Sequence, residues 1–228
     1  GSYEVDFNKI GLYNNSRFAY AIGRTITAAG EPNPAHHLLY STAKLGWPYP
    51  AWQSKRFEVY YTLAGGTRAG IGYWWLQGGY GMNNTDPDSQ LLWKEVGLCG
   101  NEIKTVRDLI IKSTPLDGLS IIPSSKVWAK AVASGMDSMI LYVVNDNYVN
   151  AANGYCYVTN VANAAVTLTP PEWMQGPMAF EVTAGGLKPV SMTPTNGLGQ
   201  TGAVQLRFNL GMLALTRMIV LTKDAQVP

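Results

Sequence analysis

The segment Lys112–Leu119, KSTPLDGL, separates two stretches of chain with different grammar, and that contrast limits the fold more than any other feature. Before it, long segments with helical spacing of apolar residues alternate with short apolar runs. After it, short runs of alternating apolar and polar residues are divided by turn residues. Strands alternating with helices imply parallel pairing in an α/β fold. Evenly spaced short strands with turn signals between them imply an antiparallel β-sandwich. The expected organisation is α/β followed by all-β, with residues 1–115 as one domain and 116–228 as a sandwich of about eight or nine strands.

In the first half, NSRFAYAIGRTITAAG reads as a helix capped by Asn15 or Ser16, with Phe18, Ile22 and Ile26 on one face and Gly30 with Pro32 as its stop. HHLLYSTAKLGW, His36 to Trp47, reads as a buried strand leaving toward the Pro-rich loop GWPYPAWQ. SKRFEVYYTLAGG gives a second helix, with Ser54 as cap and Phe57, Tyr60, Tyr61 and Ala64 at three- and four-residue steps. The strand RAGIGYWW follows, then the loop LQGGYGMNNTDPDS. A third helix is expected from Gln90 to about Lys112, its stripe made by Leu92, Val96, Cys99, Ile103, Val106 and Ile110. Gly97 and Gly100 weaken or bend it.

In the second half the strand candidates include KVWAKAVAS, SMILYVVND, GYCYVTNV, AAVTLTP, MAFEVTA, AVQLRFN and TRMIVLT. Turns are expected at SGMD, NAANG, PPEWMQGP, AGGLKP and TNGLGQTG. AKAV and VQLRF alternate as half-buried strands do, while MILYVV and MIVL are apolar enough for a sheet centre.

Composition narrows the partners. The 228 residues carry a net charge of +2 with 14% charged residues, and no cluster of Lys and Arg offers a nucleic-acid surface. Seven Trp and 13 Tyr on so weakly charged a chain suit neutral, hydroxyl-rich ligands, whose C–H faces stack on rings. Glycans are the obvious class, although core packing accounts for most of these rings. No run approaches the ~20 apolar residues that cross a bilayer. No signal peptide is visible, and the opening Gly-Ser reads as an appended scar outside the fold. A mature or truncated piece of a longer protein, extracellular or cell-surface, fits this best. Cys99 and Cys156 have no metal-ligand spacing, and a disulfide between them is neither indicated nor excluded.

Taken in order, GWPYPAWQSKRFEVYYTLAGGTRAGIGYWW, LLWKEVGLCGNEIKTVRDLI, ILYVVNDNY, VTLTPPEWM, MAFEV and TRMIVLT resemble the C-terminal part of a (β/α)8-barrel glycoside hydrolase followed by its C-terminal β-sandwich. The resemblance implies that residues 1–115 are the last two or three βα units of a TIM-type barrel. A complete barrel takes about 250 residues. Parallel strands at an unclosed edge expose backbone and apolar surface, so a further polypeptide or an oligomer mate is expected to complete the barrel. It also implies a glycan ligand, handled by a glycoside hydrolase or by a non-enzymatic binding or assembly protein.

Ligands of such folds sit at the carboxyl ends of strands. That face gathers the candidate substrate-binding residues Trp47, Tyr73, Trp74, Trp75, Tyr80, Asn83, Asp86 and Asp88. Neighbours in a strand point to opposite sides, so one ring of the Tyr73–Trp75 triplet is expected on the ligand and the others in packing. Glycosidases generally use two carboxylates, and the strand candidate beginning at His36, which the resemblance implies is the seventh of the barrel, ends AKLGWP, without one. Glu31 enters that strand at the wrong end. Glu58, Glu95 and Glu102 fall on helices, where a solvated face or a pair with Lys55, Lys94 or Arg107 is the plainer reading. Asp86 and Asp88 are better placed, although Asp-Pro-Asp-Ser is also a turn and helix-cap sequence. A calcium site from these oxygens lacks any recognised loop spacing. His36 and His37 point to opposite sides of their strand and are given structural roles. No cofactor or metal is expected, and no Gly-x-Ser-x-Gly, phosphate-binding or dinucleotide motif occurs. The main catalytic carboxylates are therefore expected outside this chain.

Overall fold

The computed structural model describes residues 17–30, 33, 36–40, 50–74, 85–151, 155–196 and 204–225. The chain divides into two compact units, Gly1–Gly100 with Tyr148–Thr159, and Asn101–Asn147 with Asn160–Pro228.

The first unit runs α1 (Phe18–Gly30), β1 (His36–Tyr40), α2 (Trp52–Ala64), β2 (Gly70–Trp74) and the beginning of α3 (Pro87–Thr105). β1 and β2 pair in parallel, as the alternation of strands and helices requires, with His36 opposite Gly70 and Tyr40 opposite Trp74. The strand expected over His36–Trp47 ends at Tyr40, and residues 41–49 lie outside the described residues. In α2, Phe57, Tyr60, Tyr61 and Ala64 are all buried, as their spacing predicts. The helix starts two residues before Ser54, with Ala51 at the N-cap and no side-chain cap. Ser54 is instead buried in the first turn. Gly66, at φ 94°, closes the helix in a conformation that favours glycine.

Helix α1 buries Ala19, Gly23 and Thr27, while Phe18, Ile22 and Ile26 are only half-buried. The reason is a close backbone approach to α2. A Cβ on Gly23 would stand 3.2 Å from the Thr62 carbonyl, and one on Gly65 would stand 3.0 Å from the Arg24 nitrogen and the Tyr20 oxygen. Small residues set that contact, so the buried stripe is displaced from the bulky residues that the periodicity points to.

A two-stranded hairpin, β7 (Tyr148–Asn150) with β8 (Cys156–Val158), belongs to this unit despite its place in the sequence. Its inner side packs on α2 through Tyr148, whose ring centroid is 4.5 Å from that of Phe57.

The third helix is not continuous to Lys112. It ends at Thr105, Val106 leaves helical geometry at φ −122° and ψ 22°, and α4 (Arg107–Ile111) follows. The Thr105 hydroxyl donates to the Asn101 carbonyl at 3.0 Å, a back-bond that bends helices. At the other end α3 begins at Pro87, three residues earlier than expected. The missing N–H of proline costs nothing in a first turn.

The second unit is an antiparallel sandwich of ten strands, among the described residues. One sheet holds β3 (Ser113–Pro115), β5 (Val127–Ser134), β6 (Ser138–Asn145), β10 (Met178–Thr183), β11 (Gly186–Pro189) and β14 (Thr216–Thr222), in the order β11-β10-β14-β6-β5-β3. The other orders β12 (Thr193–Asn196), β13 (Val204–Leu213), β9 (Val161–Leu168) and β4 (Ile121–Pro123) as β12-β13-β9-β4. Every residue of β6 is buried. Met139, Leu141 and Val143 enter the core between the sheets with Val166, Phe208 and Leu221, and α4 packs against β5 and β6. The polar ends of β6 are satisfied: Ser138 shares a hydrogen bond with Thr222 at 2.8 Å, and Asn145 donates to the Leu213 and Ala214 carbonyls.

Two expectations change. GYCYVTNV is not one sandwich strand: Cys156–Val158 belongs to the hairpin, and the sandwich resumes only at Val161. AGGLKP is a tight turn followed by β11, which pairs with β10.

Candidate functional site

Parallel register brings the carboxyl ends of β1 and β2 level, at Tyr40 and Trp74. From there the chain passes to the first turns of α2 and α3, so this end gathers the candidate ligand face. Trp47, Trp75, Tyr80 and Asn83 lie outside the described residues, and Trp74 is described only as a strand position. Tyr73, Asp86 and Asp88 are described in full.

Tyr73 lies on the helix-facing side of β2, the side that includes buried Leu39 of β1. Burial first, and then the acidic neighbours Cys99, Glu58 and Glu95, push its phenol above the ordinary tyrosine range. It therefore acts only as a neutral hydroxyl, among groups of α2 and α3. By register, position 74 shares the opposite face with Gly70 and Gly72. His36 is exposed on that face, and a Cβ at Gly70 would stand 3.0 Å from its ring.

Behind Tyr73 is a polar cluster. Arg56 donates to Glu95 Oε1 at 2.5 Å and to the Tyr60 hydroxyl at 3.3 Å, and its guanidinium stands 5.3 Å from the Tyr60 ring centroid. Cys99 Sγ is 3.7 Å from Arg56 Nη1 and 3.8 Å from Glu95 Oε1. Lys55, buried in the first turn of α2, pairs with Glu58 one turn later. The cluster joins α2 to α3 and surrounds the phenol with charge that is already paired.

The expectation for the helical glutamates thus divides. Glu58 has the Lys55 partner. Glu95 and Glu102 are buried rather than solvated, and Glu95 is held by Arg56, 39 residues away. Arg107 pairs with its neighbour Asp108, both exposed. The local signal for this cluster was three i,i+4 or i,i+3 pairs: Arg56 with Tyr60, Glu95 with Cys99, and Lys55 with Glu58. Nothing in the sequence connects one helix to the other.

Asp86 caps α3. Its Oδ1 accepts from the Asp88 N–H at 2.9 Å and the Ser89 N–H at 3.3 Å, satisfying donors that a helix start leaves open. Asp88 is exposed in the first turn, where its charge complements the helix dipole. Cys99 and Cys156 are both buried free thiols. Burial raises the Cys156 thiol, against a hydrogen bond from Ser54 that lowers it. Among the described residues no group of three or more His, Cys, Asp or Glu is placed to hold a metal ion, and no helix is long and apolar enough to cross a membrane.

No protein-family model matches the sequence, and no curated protein matches it. Among solved structures, the chain matches a cycloisomaltooligosaccharide glucanotransferase from Paenibacillus sp. complexed with cycloisomaltoheptaose, at TM-score 0.56 and 13% identity over 75% of this chain. The fold resembles that of the matched part of this enzyme. The chain spans 27% of that enzyme's length. An α-fucosidase from Thermotoga maritima, in complex with a mechanism-based inhibitor, matches at TM-score 0.44 and 8% identity, over 84% of this chain and 40% of its own. α-L-Fucosidase isoenzyme 2 from Paenibacillus thiaminolyticus matches at TM-score 0.34 and 10% identity, over 60% of this chain and 18% of its own. Of these three, the glucanotransferase carries the likeness of fold.

Proposed function

We propose that this chain is part of a glycoside-hydrolase-like protein that acts on or binds a glycan at the carboxyl ends of β1 and β2, with the main catalytic carboxylates outside this chain. The observation that carries the reading is the parallel pair itself, whose strand ends are level and lead into α2 and α3, the arrangement at which α/β folds place their ligands. In this reading residues 1–115 are the C-terminal portion of a (β/α)8-type barrel, and 116–228 its sandwich. A further polypeptide or an oligomer mate completes the barrel, and the protein is extracellular or on the cell surface. Trp74 or Trp75 stacks on a sugar ring, with Trp47, Tyr80, Asn83 and Asp88 around it and Tyr73 supporting the strand end from behind.

Three of the described carboxylates of the first unit have other occupations. Glu58 and Glu95 hold cations, and Asp86 caps a helix. That supports catalytic groups elsewhere, and it favours a second reading, a non-enzymatic carbohydrate-binding or assembly protein.

Titration of the purified chain with soluble neutral glycans, with Trp74→Ala beside wild type, tests the site. Loss of a stacking ring is expected to weaken binding about tenfold, since aromatic contacts are worth about 0.5–1.5 kcal/mol beyond their buried area. Unchanged binding in Trp74→Ala and in a matching Trp75→Ala variant would remove the strand ends as the glycan site.

A further inference from the structure

Helix α3 keeps an apolar face exposed. Glu95 turns toward α2, where Arg56 holds it. At about 100° per residue, Trp93, Gly97 and Gly100 fall together on the far side of the helix from Glu95. Trp93 is 53% exposed. A Cβ at Gly97 or Gly100 would meet nothing within 4 Å. From Gln90 to Gly100 the exposed positions carry one charge, Lys94, beside Leu91, Trp93 and Leu98. The solvent face of an ordinary helix is polar or charged.

Each glycine costs about 1 kcal/mol against alanine inside a helix, and no neighbouring atom requires either one. The same unit shows what glycine does where it is required, since at Gly23 and Gly65 the backbones of α1 and α2 come together. Gly97 and Gly100 permit an equally close approach on an open face.

The strand that leads into α3 is open too. β2 pairs with β1 on one side and, among the described residues, with no strand on the other. The edge strands of the sandwich are blunted, with Pro115 in β3, Pro123 in β4, Pro189 in β11 and Pro194 in β12. Proline on an edge guards against pairing with another chain. β2, Gly-Ile-Gly-Tyr-Trp, has neither proline nor charge. Its outer N–H and C=O groups are a template that a further strand satisfies.

Self-complementarity selects the occupant. A two-fold axis sets α3 antiparallel to its copy, with the same patch used on both sides. Trp93 of each copy then lies against Gly97 and Gly100 of the other, a large ring over the gap that glycine leaves. An axis normal to the sheet also sets the two β2 edges antiparallel, an arrangement in which strand edges hydrogen-bond directly.

We propose that the open edge of β2 and the Trp93–Gly97–Gly100 face of α3 form a two-fold interface with a second copy of this chain. Of the two partners in the reading above, this selects the oligomer mate. The inference rests on the open parallel pair of that reading and not on its glycan.

Sedimentation velocity of the purified chain over a concentration series tests it, with wild type, Trp93→Ala and Gly97→Gln/Gly100→Gln. Wild type is expected to sediment at twice the chain mass and to dissociate on dilution. Removing the ring or filling the gap is expected to raise the dimer Kd at least about tenfold. Urea denaturation of the dissociated chains separates this from misfolding. There the double glutamine variant is expected to be at least as stable as wild type, because its side chains enter open space and glutamine favours the helix. In hydrogen exchange, the Gly70–Trp74 amides that do not bond to β1 are expected to be protected in the dimer and to exchange fast in the double variant. Wild type that stays monomeric overturns the proposal and leaves the edge to a different polypeptide. A dimer that both variants leave intact overturns it as well, because the contact then lies on another face. Glycan binding at the strand ends is read separately, by the Trp74→Ala titration, so either idea can fail without the other.

Discussion

Replacing Arg56 by alanine is expected to destabilise the protein by about 3–5 kcal/mol, because the Glu95 carboxylate then stays buried with its cation removed. The side chains of Arg56 and Glu95 are 12% and 8% exposed, so water cannot take over the role of the guanidinium. The Cys99 thiol, 3.8 Å from Glu95 Oε1, is a weak replacement. The Tyr60 hydroxyl and ring lose their contact with Arg56 at the same time. Replacing both Arg56 and Glu95 by methionine should recover most of the loss, since removing both charges leaves neither stranded. Urea denaturation of the single and double variants measures both effects. A single variant within about 0.5 kcal/mol of wild type, the range of ordinary surface substitutions, would show that the pair does not join α2 to α3 energetically.

Phe57→Ala is expected to cost a similar amount, about 3–5 kcal/mol, through lost burial and the cavity left behind. Phe57 is fully buried, and its ring meets Tyr148 at 4.5 Å. The effect has a location as well as a size. The hairpin Tyr148–Val158 loses its anchor, so its amides should exchange with solvent far faster, while those of β6 and β14 in the other unit keep their protection. Phe57→Leu should lose less than Phe57→Ala. Uniform acceleration across both units would contradict the assignment of the hairpin to the first unit.

These two residues mark where the sequence was legible and where it was not. Phe57 belongs to a stripe with Tyr60, Tyr61 and Ala64 that announces its helix by spacing alone, and all four are buried. In the sandwich, the apolar run of β6 and the alternation of β13 gave their elements equally directly. Periodicity reports which face of an element seeks burial, and little else. It said nothing about Arg56 and Glu95, because an ion pair across 39 residues leaves no local pattern. It misplaced the face of α1, because at Gly23 and Gly65 the backbones themselves come together, and a contact between glycines has no hydrophobic signature. The division of GYCYVTNV between a hairpin and β9 was hidden for a related reason: β-propensity runs through Tyr155–Val161 without a marked turn.

The candidate site shows the same division. The alternation of strands and helices was enough to expect a parallel pair, and β1 and β2 have that pairing with Trp74 at the carboxyl end. Asp86 was readable either as a ligand group or as a cap, and its carboxylate accepts two backbone N–H bonds at the start of α3. Tyr73 stood beside Trp74 in sequence, and what separates their environments is strand alternation together with the cluster behind β2.

The most direct measurement is the number of new reducing ends released when the purified chain is incubated with the neutral glycans that it binds in titration. Binding with no release above the buffer control is the expected result, since Glu58, Glu95 and Asp86 are committed to Lys55, Arg56 and the start of α3. Steady release by the chain alone, abolished by Glu58→Gln or Glu95→Gln in a folded variant, would contradict the central claim and move the catalytic groups into this chain.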